Sequence, residues 1–326
     1  MNKPGMITFI ICIVVIITAI AAPLILASIY WTSVLTMIVI NCLMTTSLRN
    51  ISIMGEFSLG HVGFMCLGAY TSALLTMKAG LPFAVTLPTA GLMSGLLALA
   101  LGYPFMRVKG IYFVVLTLMT SESIRLSAAN WRSLTGGIDG LIGFPGAGVL
   151  SIPGLFRVDF NGFTEYYYLT LSVVCVSLFL LYRLEKSRLG FTWTAIRDAD
   201  KMAGSLGVNV LRYKVVCFSI SCFFAGLAGG LFAHFEQALG AQATAYFGVL
   251  TSIYFLIYMV VGGKDRFAGP ILGAVILSLV SELTRPVEEY QSMVIGAIAI
   301  GMVMIIPDGL ISIPEKIGRW RNSSSG

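Results

Sequence analysis

The chain has 326 residues, of which 57% are hydrophobic and only 11% charged, and its mean hydropathy is +0.90. Soluble domains carry roughly 25% charged residues, so this composition excludes a soluble globular enzyme and points to a polytopic α-helical membrane protein. The net charge of +6 does not mark a nucleic-acid binder, because the basic residues sit at the ends of apolar runs, where topology and the lipid bilayer account for them.

Windows of about 20 apolar residues, the length that crosses a hydrocarbon core, predict about ten spans near 7–28, 31–48, 57–77, 83–106, 110–126, 166–184, 215–235, 248–263, 270–284 and 291–311. The first run follows Lys3 as a signal peptide would, but it is longer than a signal core of roughly 7–15 residues and reads as a retained span. Connections are short, so residues 1–326 form a single transmembrane domain with two larger loops, 128–165 and 183–214. Basic residues stay on the cytoplasmic side of short loops. Placing Lys3 inside puts all of the 21 Lys and Arg there except Lys78, Arg125, Arg132, Arg157 and Arg285, with both termini cytoplasmic.

The loop 128–165 carries Thr135, Gly136, Gly137, Asp139 and Gly140, followed by more Gly and Pro, a density of turn formers that rules out a continuous helix and predicts a structured extracytoplasmic cap. The loop 183–214 holds Arg183, Lys186, Arg188, Arg197, Lys201, Arg212 and Lys214 against Glu185, Asp198 and Asp200. Within it, Trp193, Ile196, Met202 and Leu206 recur at mostly helical spacing before Gly207, which predicts a short amphipathic helix over 192–206 lying along the membrane. A segment this polar, between spans and too short to be a domain, is suited to being read by a separate partner.

No GxxxxGK[ST] phosphate loop is present, so ATP hydrolysis is not expected of this chain, and no catalytic triad or paired carboxylates stand out. The six cysteines lie in apolar runs without a CxxC pair and read as small buried hydrophobes. Glu122 and Arg125, three apart on a helix, read as a self-neutralising pair, and His234 and Glu236 as residues solvated at a span end. The absence of a relay of buried acids weakens ion coupling. Gly60, Gly63 and Gly68 in the third span, and Gly226, Gly229 and Gly230 in the seventh, each read singly as close helix packing. The stretch Ser58-Leu-Gly-His61, with Gly63 following, opens its span with polar groups and suits a discontinuous helix facing a pathway.

Several motifs in order are similar to those of the branched-chain amino acid ABC transporter permeases, most closely the LivM-type subunit: Ser58-Leu-Gly-His61 with Phe64 and Gly68-Ala-Tyr-Thr71, then Thr135 to Gly140, Ser187-Arg-Leu-Gly190, Ala195-Ile-Arg-Asp198, Gly262-Gly263 and Gly269 to Ala274. The resemblance implies an inner-membrane permease with no cofactor of its own. It also implies a second permease subunit of the LivH type, two cytoplasmic ATPase subunits that bind ATP-Mg, and a periplasmic binding protein delivering leucine, isoleucine or valine, or a related small zwitterion or amide. Ala195, Ile196, Arg197, Asp198, Leu206 and Gly207 become the segment that docks on the ATPase. Ser58, Gly60, His61, Gly63, Gly68, Tyr70, Thr135, Gly136, Gly137, Asp139 and Gly140 become candidates for the translocation pathway. The chain departs from the family pattern at Ala199, where Asn is common, at Phe191-Thr-Trp193, and at Lys264-Asp-Arg266. The alternatives are an ion-coupled secondary transporter or passive channel for amino acids or urea, in which spans two to five and seven to ten could be inverted repeats, and an assembly subunit without a pathway.

Overall fold

The computed structural model describes residues 22–23, 28–137, 139–146, 148–152, 156–159, 162–240, 246–285, 288–305 and 309–312. The expected first span, 7–28, falls almost wholly outside these residues, as do both termini. The helices are α1 (Ile29–Ile53), α2 (His61–Ala79), α3 (Phe83–Phe105), α4 (Ile111–Asn130), α5 (Arg132–Thr135), α6 (Phe163–Glu185), α7 (Arg188–Ser205), α8 (Val210–Glu236), α9 (Val249–Gly262), α10 (Ala268–Leu283) and α11 (Glu288–Ile305). Two antiparallel strand pairs qualify the all-α expectation: β1 (Leu141–Ile142) with β4 (Ala238–Leu239), and β2 (Val149–Ile152) with β3 (Phe156–Asp159).

Among the described residues, six helices, α1 to α4, α6 and α8, are long and apolar enough to cross a membrane. The eighth and ninth expected spans are realised as α9, of 14 residues, and α10, of 16. At 1.5 Å per residue these reach only about 21–24 Å. The second expected span is longer than its apolar run, because α1 continues to Ile53 and carries Arg49 buried within it. Hydropathy ended that span at the charge, whereas the fold neutralises the charge and lets the helix go on.

In lipid every backbone group must be satisfied within the segment, and the helical hydroxyls add bonds to carbonyls one turn back, as in Thr45 to Asn41 O at 2.7 Å and Thr46 to Cys42 O at 2.7 Å. The centre of the bundle is the pair α1 and α8. Helices α2 and α3 pack on α8, and α9 and α10 pack on α1, so each central helix is covered by the hairpin that follows the other.

Glycine sets the closest approaches. A Cβ on Gly68 would lie 2.3 Å from Gly226 O, and one on Gly229 would lie 1.9 Å from Met65 O, so α2 and α8 cross backbone to backbone. The second half repeats the device: a Cβ on Gly262 would meet Gly269 O at 2.0 Å, and one on Gly273 would meet Tyr258 O at 2.0 Å. The double glycine and the Gly269 to Ala274 motif are thus the crossing of α9 with α10.

Candidate functional site

A helix, α7, stands where the apolar spacing and Gly207 predict one, and its ends are chemically defined. Ser187 caps it, its Oγ accepting from Leu189 N at 3.2 Å. At the other end Gly207 takes φ +86° and donates to Gly204 O, while Val208 N donates to Ala203 O, the paired bonds of a Schellman stop. Trp193 and Ile196 are buried, and the Trp193 indole donates to Tyr213 O of α8 at 3.0 Å.

The continuous amphipathic face expected over 192–206 is not formed. Ala199 leaves helical geometry at φ −157°, ψ 77°, and the kink rotates the second half of α7, so that Met202 is 67% and Leu206 80% exposed. Of the docking candidates, Ala195, Arg197, Asp198, Leu206 and Gly207 are exposed and Ile196 is buried. Arg197 Nε donates to Asp198 Oδ1 at 3.0 Å.

Four elements brace α7. Gly55, at φ +89° in the turn after α1, lies close against α7: a Cβ there would stand 3.1 Å from Arg197 Cγ. The neighbouring Glu56 accepts from Lys214 Nζ of α8 at 2.8 Å, and both residues are buried. Arg49 holds the Glu185 carboxylate of α6 with both terminal nitrogens, at 2.8 and 3.2 Å, and its Nε donates to Lys264 O at 2.7 Å. Lys109, in the turn between α3 and α4, pairs with Asp200 beyond the kink. Hydrogen bonding to Lys109 holds the Asp200 carboxyl below its usual range and raises the lysine. This bridge therefore contributes fully between the ordinary aspartate and lysine ranges; it is lost as pH falls through the depressed Asp200 value or rises through the raised Lys109 value.

Sequence reading missed the ion-pairing roles of Arg49, Glu56, Glu185 and Lys214. The available signal was that all four ionisable groups stand within a few residues of a span end.

The pathway candidates separate into two groups. Ser58 and His61 are buried where α2 begins: Ser58 Oγ accepts from Gly60 N at 3.1 Å, and His61 Nε2 meets Ser47 Oγ of α1 at 3.0 Å. A Cβ on Gly60 would reach Thr117 O at 2.6 Å, and one on Gly63 would reach Ser121 Cα at 2.5 Å, which seats this stretch on α4. Nearby Asn50 donates to Ser221 Oγ at 2.9 Å, joining α1 to α8.

The second group meets at Leu239. Tyr70 donates to Leu239 O at 3.1 Å, Gly140 is close enough that a Cβ would lie 2.1 Å from that same oxygen, and Leu141 pairs with Leu239 in register. Thr135 is buried and donates to Ala128 O and Trp131 O, at 2.6 and 2.8 Å, while Asp139 is exposed. Gly136 and Gly137 lie in the same turn, and Gly68 is taken up by the crossing with α8.

His234 corrects an expectation: it is buried and cross-linked, not solvated at a span end. Its Nδ1 faces Pro145 O at 3.2 Å, and its Nε2 faces Ser72 Oγ at 3.0 Å. A carbonyl only accepts, so Nδ1 carries the proton and Nε2 receives a hydroxyl. The expected pair of Glu122 and Arg125 forms, at 2.7 Å. Among the described residues no cluster of His, Cys, Asp and Glu could hold a metal ion.

The family described as "Branched-chain amino acid transport system / permease component" matches residues 24–303. The chain is 31% identical over 298 residues to the high-affinity branched-chain amino acid transport system permease protein LivM of Escherichia coli K12, a match covering 84% of this chain and 68% of that protein. LivM of Salmonella typhimurium is 32% identical over 284 residues, covering 80% of this chain and 65% of the relative, so the chain spans about two thirds of the LivM proteins. LivH of Escherichia coli K12 is 24% identical over 289 residues, 81% of this chain and 88% of LivH. No solved structure matches. With its multi-pass helical bundle and a family match over most of its length, this chain belongs to the branched-chain amino acid transport system permeases.

Proposed function

We propose that this chain is a permease subunit of an ATP-driven importer of leucine, isoleucine and valine, working with a LivH-type permease, two ATPase subunits and a periplasmic binding protein. The observation that carries this reading is the 31% identity to LivM across 84% of the chain. Hydrolysis of ATP belongs to the partner subunits. The membrane is the bacterial inner membrane, crossed ten times with both termini and the 183–214 loop cytoplasmic, and with 128–165 on the far side.

In this reading α7 is the surface on which the ATPase acts. Its exposed Ala195, Arg197, Asp198, Leu206 and Gly207, with Met202, suit docking of a protein, since an exposed apolar pair beside charges is the composition of an interface. The pathway runs by Ser58, Gly60, His61 and Gly63 and on to Tyr70 and Thr135–Gly140, while Gly68 serves the crossing of α2 with α8. Supporting this, α2 carries His61 at its first residue and Tyr70 further along, so one rigid helix links α7's surroundings to the Leu239 cluster. A zwitterion passing there needs brief solvation of both charges, which backbone groups at helix ends supply.

Arg197→Glu places a carboxylate beside Asp198 and repels whatever acidic-to-basic complementarity the ATPase offers. The expected result is a normally inserted permease whose complex hydrolyses ATP without uptake; uptake equal to wild type refutes the docking assignment. Reconstituted without its ATPase, the permease is expected to move no substrate against a gradient. Accumulation driven by an ion gradient in that preparation would instead establish a secondary transporter.

A further inference from the structure

We infer that Glu56 and Lys214 are positioning residues that carry movement of α7 sideways into the start of α2, a reading that rests on the importer function proposed above. The simplest mechanical alternative sends that movement only along α6 and α8 as levers attached to the ends of α7. The contacts provide a shorter route. Trp193 ties α7 to Tyr213 O at 3.0 Å, Lys214 follows directly in sequence and pairs with Glu56 at 2.8 Å, and Gly55, next to Glu56, rests on the Arg197 stem. These contacts close a ring through α7, α8 and the turn before α2.

Beyond the ring the turn is committed to α2 and α4. Leu59 N donates to Thr117 Oγ1 at 3.3 Å, Gly60 sits against Thr117 O, and His61 bonds Ser47 of α1. A shift of Lys214 is therefore delivered to the first turn of α2. Buried opposite charges resist separation much more than surface ones do, because screening is weak around them. Lys109 and Asp200, which pair with each other at the second half of α7, also feel Glu56 and Lys214 respectively, each as a minor electrostatic contribution. Apolar residues of similar volume often stabilise as well as a buried ion pair does. What the ion pair adds is a fixed, directional connection.

The test measures uptake of branched-chain amino acid per ATP hydrolysed, in proteoliposomes holding the full complex with its binding protein. Glu56→Gln is expected to assemble and to hydrolyse ATP, with uptake per ATP about tenfold lower than wild type. The double variant Glu56→Leu with Lys214→Met removes both charges, leaves no orphan, and guards against a failure of folding. It is expected to assemble and to remain uncoupled, which a purely structural ion pair does not predict. Wild-type uptake per ATP in the double variant overturns the inference, and so does a Glu56→Gln complex whose uptake and hydrolysis fall in equal proportion. A wild-type complex that imports none of the three amino acids overturns the importer reading itself, which separates the two failures.

Discussion

Gly229→Leu is expected to yield no folded permease. The crossing of α2 and α8 has no space for a side chain at this position, since even a Cβ would lie 1.9 Å from Met65 O and 2.9 Å from Ala69 N. The obstacle is backbone on a helix that is itself pinned by Gly68 against Gly226, so no rotamer change relieves it. Ordinary overpacking costs about 1–3 kcal/mol, where neighbouring side chains can shift. Here two helices must separate, and with them the packing of both on α3. Gly296→Ala is the matched control: a Cβ there meets nothing within 4 Å, and alanine in a helix interior is favoured over glycine by roughly 0.5–1 kcal/mol. Gel filtration of detergent extracts should show a monodisperse peak for the control and aggregate or no protein for Gly229→Leu. A monodisperse, thermally normal Gly229→Leu protein would show that the crossing is not as close as described.

Arg49→Met is expected to lower stability by about 2–3 kcal/mol, below the roughly 3–5 kcal/mol of a fully buried ion pair because Glu185 is partly exposed. Arg49 is 3% exposed and satisfies both oxygens of Glu185 and the Lys264 carbonyl, so a single truncation orphans groups on α6 and in the turn between α9 and α10. Its guanidinium also lies 5.8 Å from the Phe267 ring centre. The orphaned Glu185 carboxylate sits immediately before α7, so the damage reaches the docking surface as well. Arg49→Met with Glu185→Leu is expected to recover most of the loss, because no unpaired charge remains. Thermal unfolding midpoints in detergent compare the three proteins. A single variant as stable as wild type would mean that water reaches Glu185 and that the pair contributes little.

The helical membrane class, the six membrane-capable helices among the described residues and the position of α7 were legible in the sequence, because length and hydropathy alone decide whether a helix can cross lipid. The capped helix Arg188–Ser205 was readable from the charges around it and from Gly207, although the kink at Ala199 was not. Spacing assumes one unbroken helix, and a single residue that leaves helical φ and ψ sends Met202 and Leu206 to a different face from Trp193 and Ile196. His234 was misplaced for a related reason. Its nearness to a span end suggested solvation, while Pro145, from a loop 89 residues away, folds over it.

By itself the sequence determined the chemistry that must be accommodated: apolar helices for lipid, small residues wherever backbones meet, a basic segment kept out of the membrane, and motifs shared with amino acid permeases. Which residues meet was decided only in three dimensions. Arg49 is 136 residues from Glu185, Glu56 is 158 from Lys214, and Tyr70 is 169 from Leu239. Local periodicity reports the face a residue occupies on its own helix, not which helix is packed there; that follows from the exchange of hairpins between α1 and α8, a property of the assembled bundle.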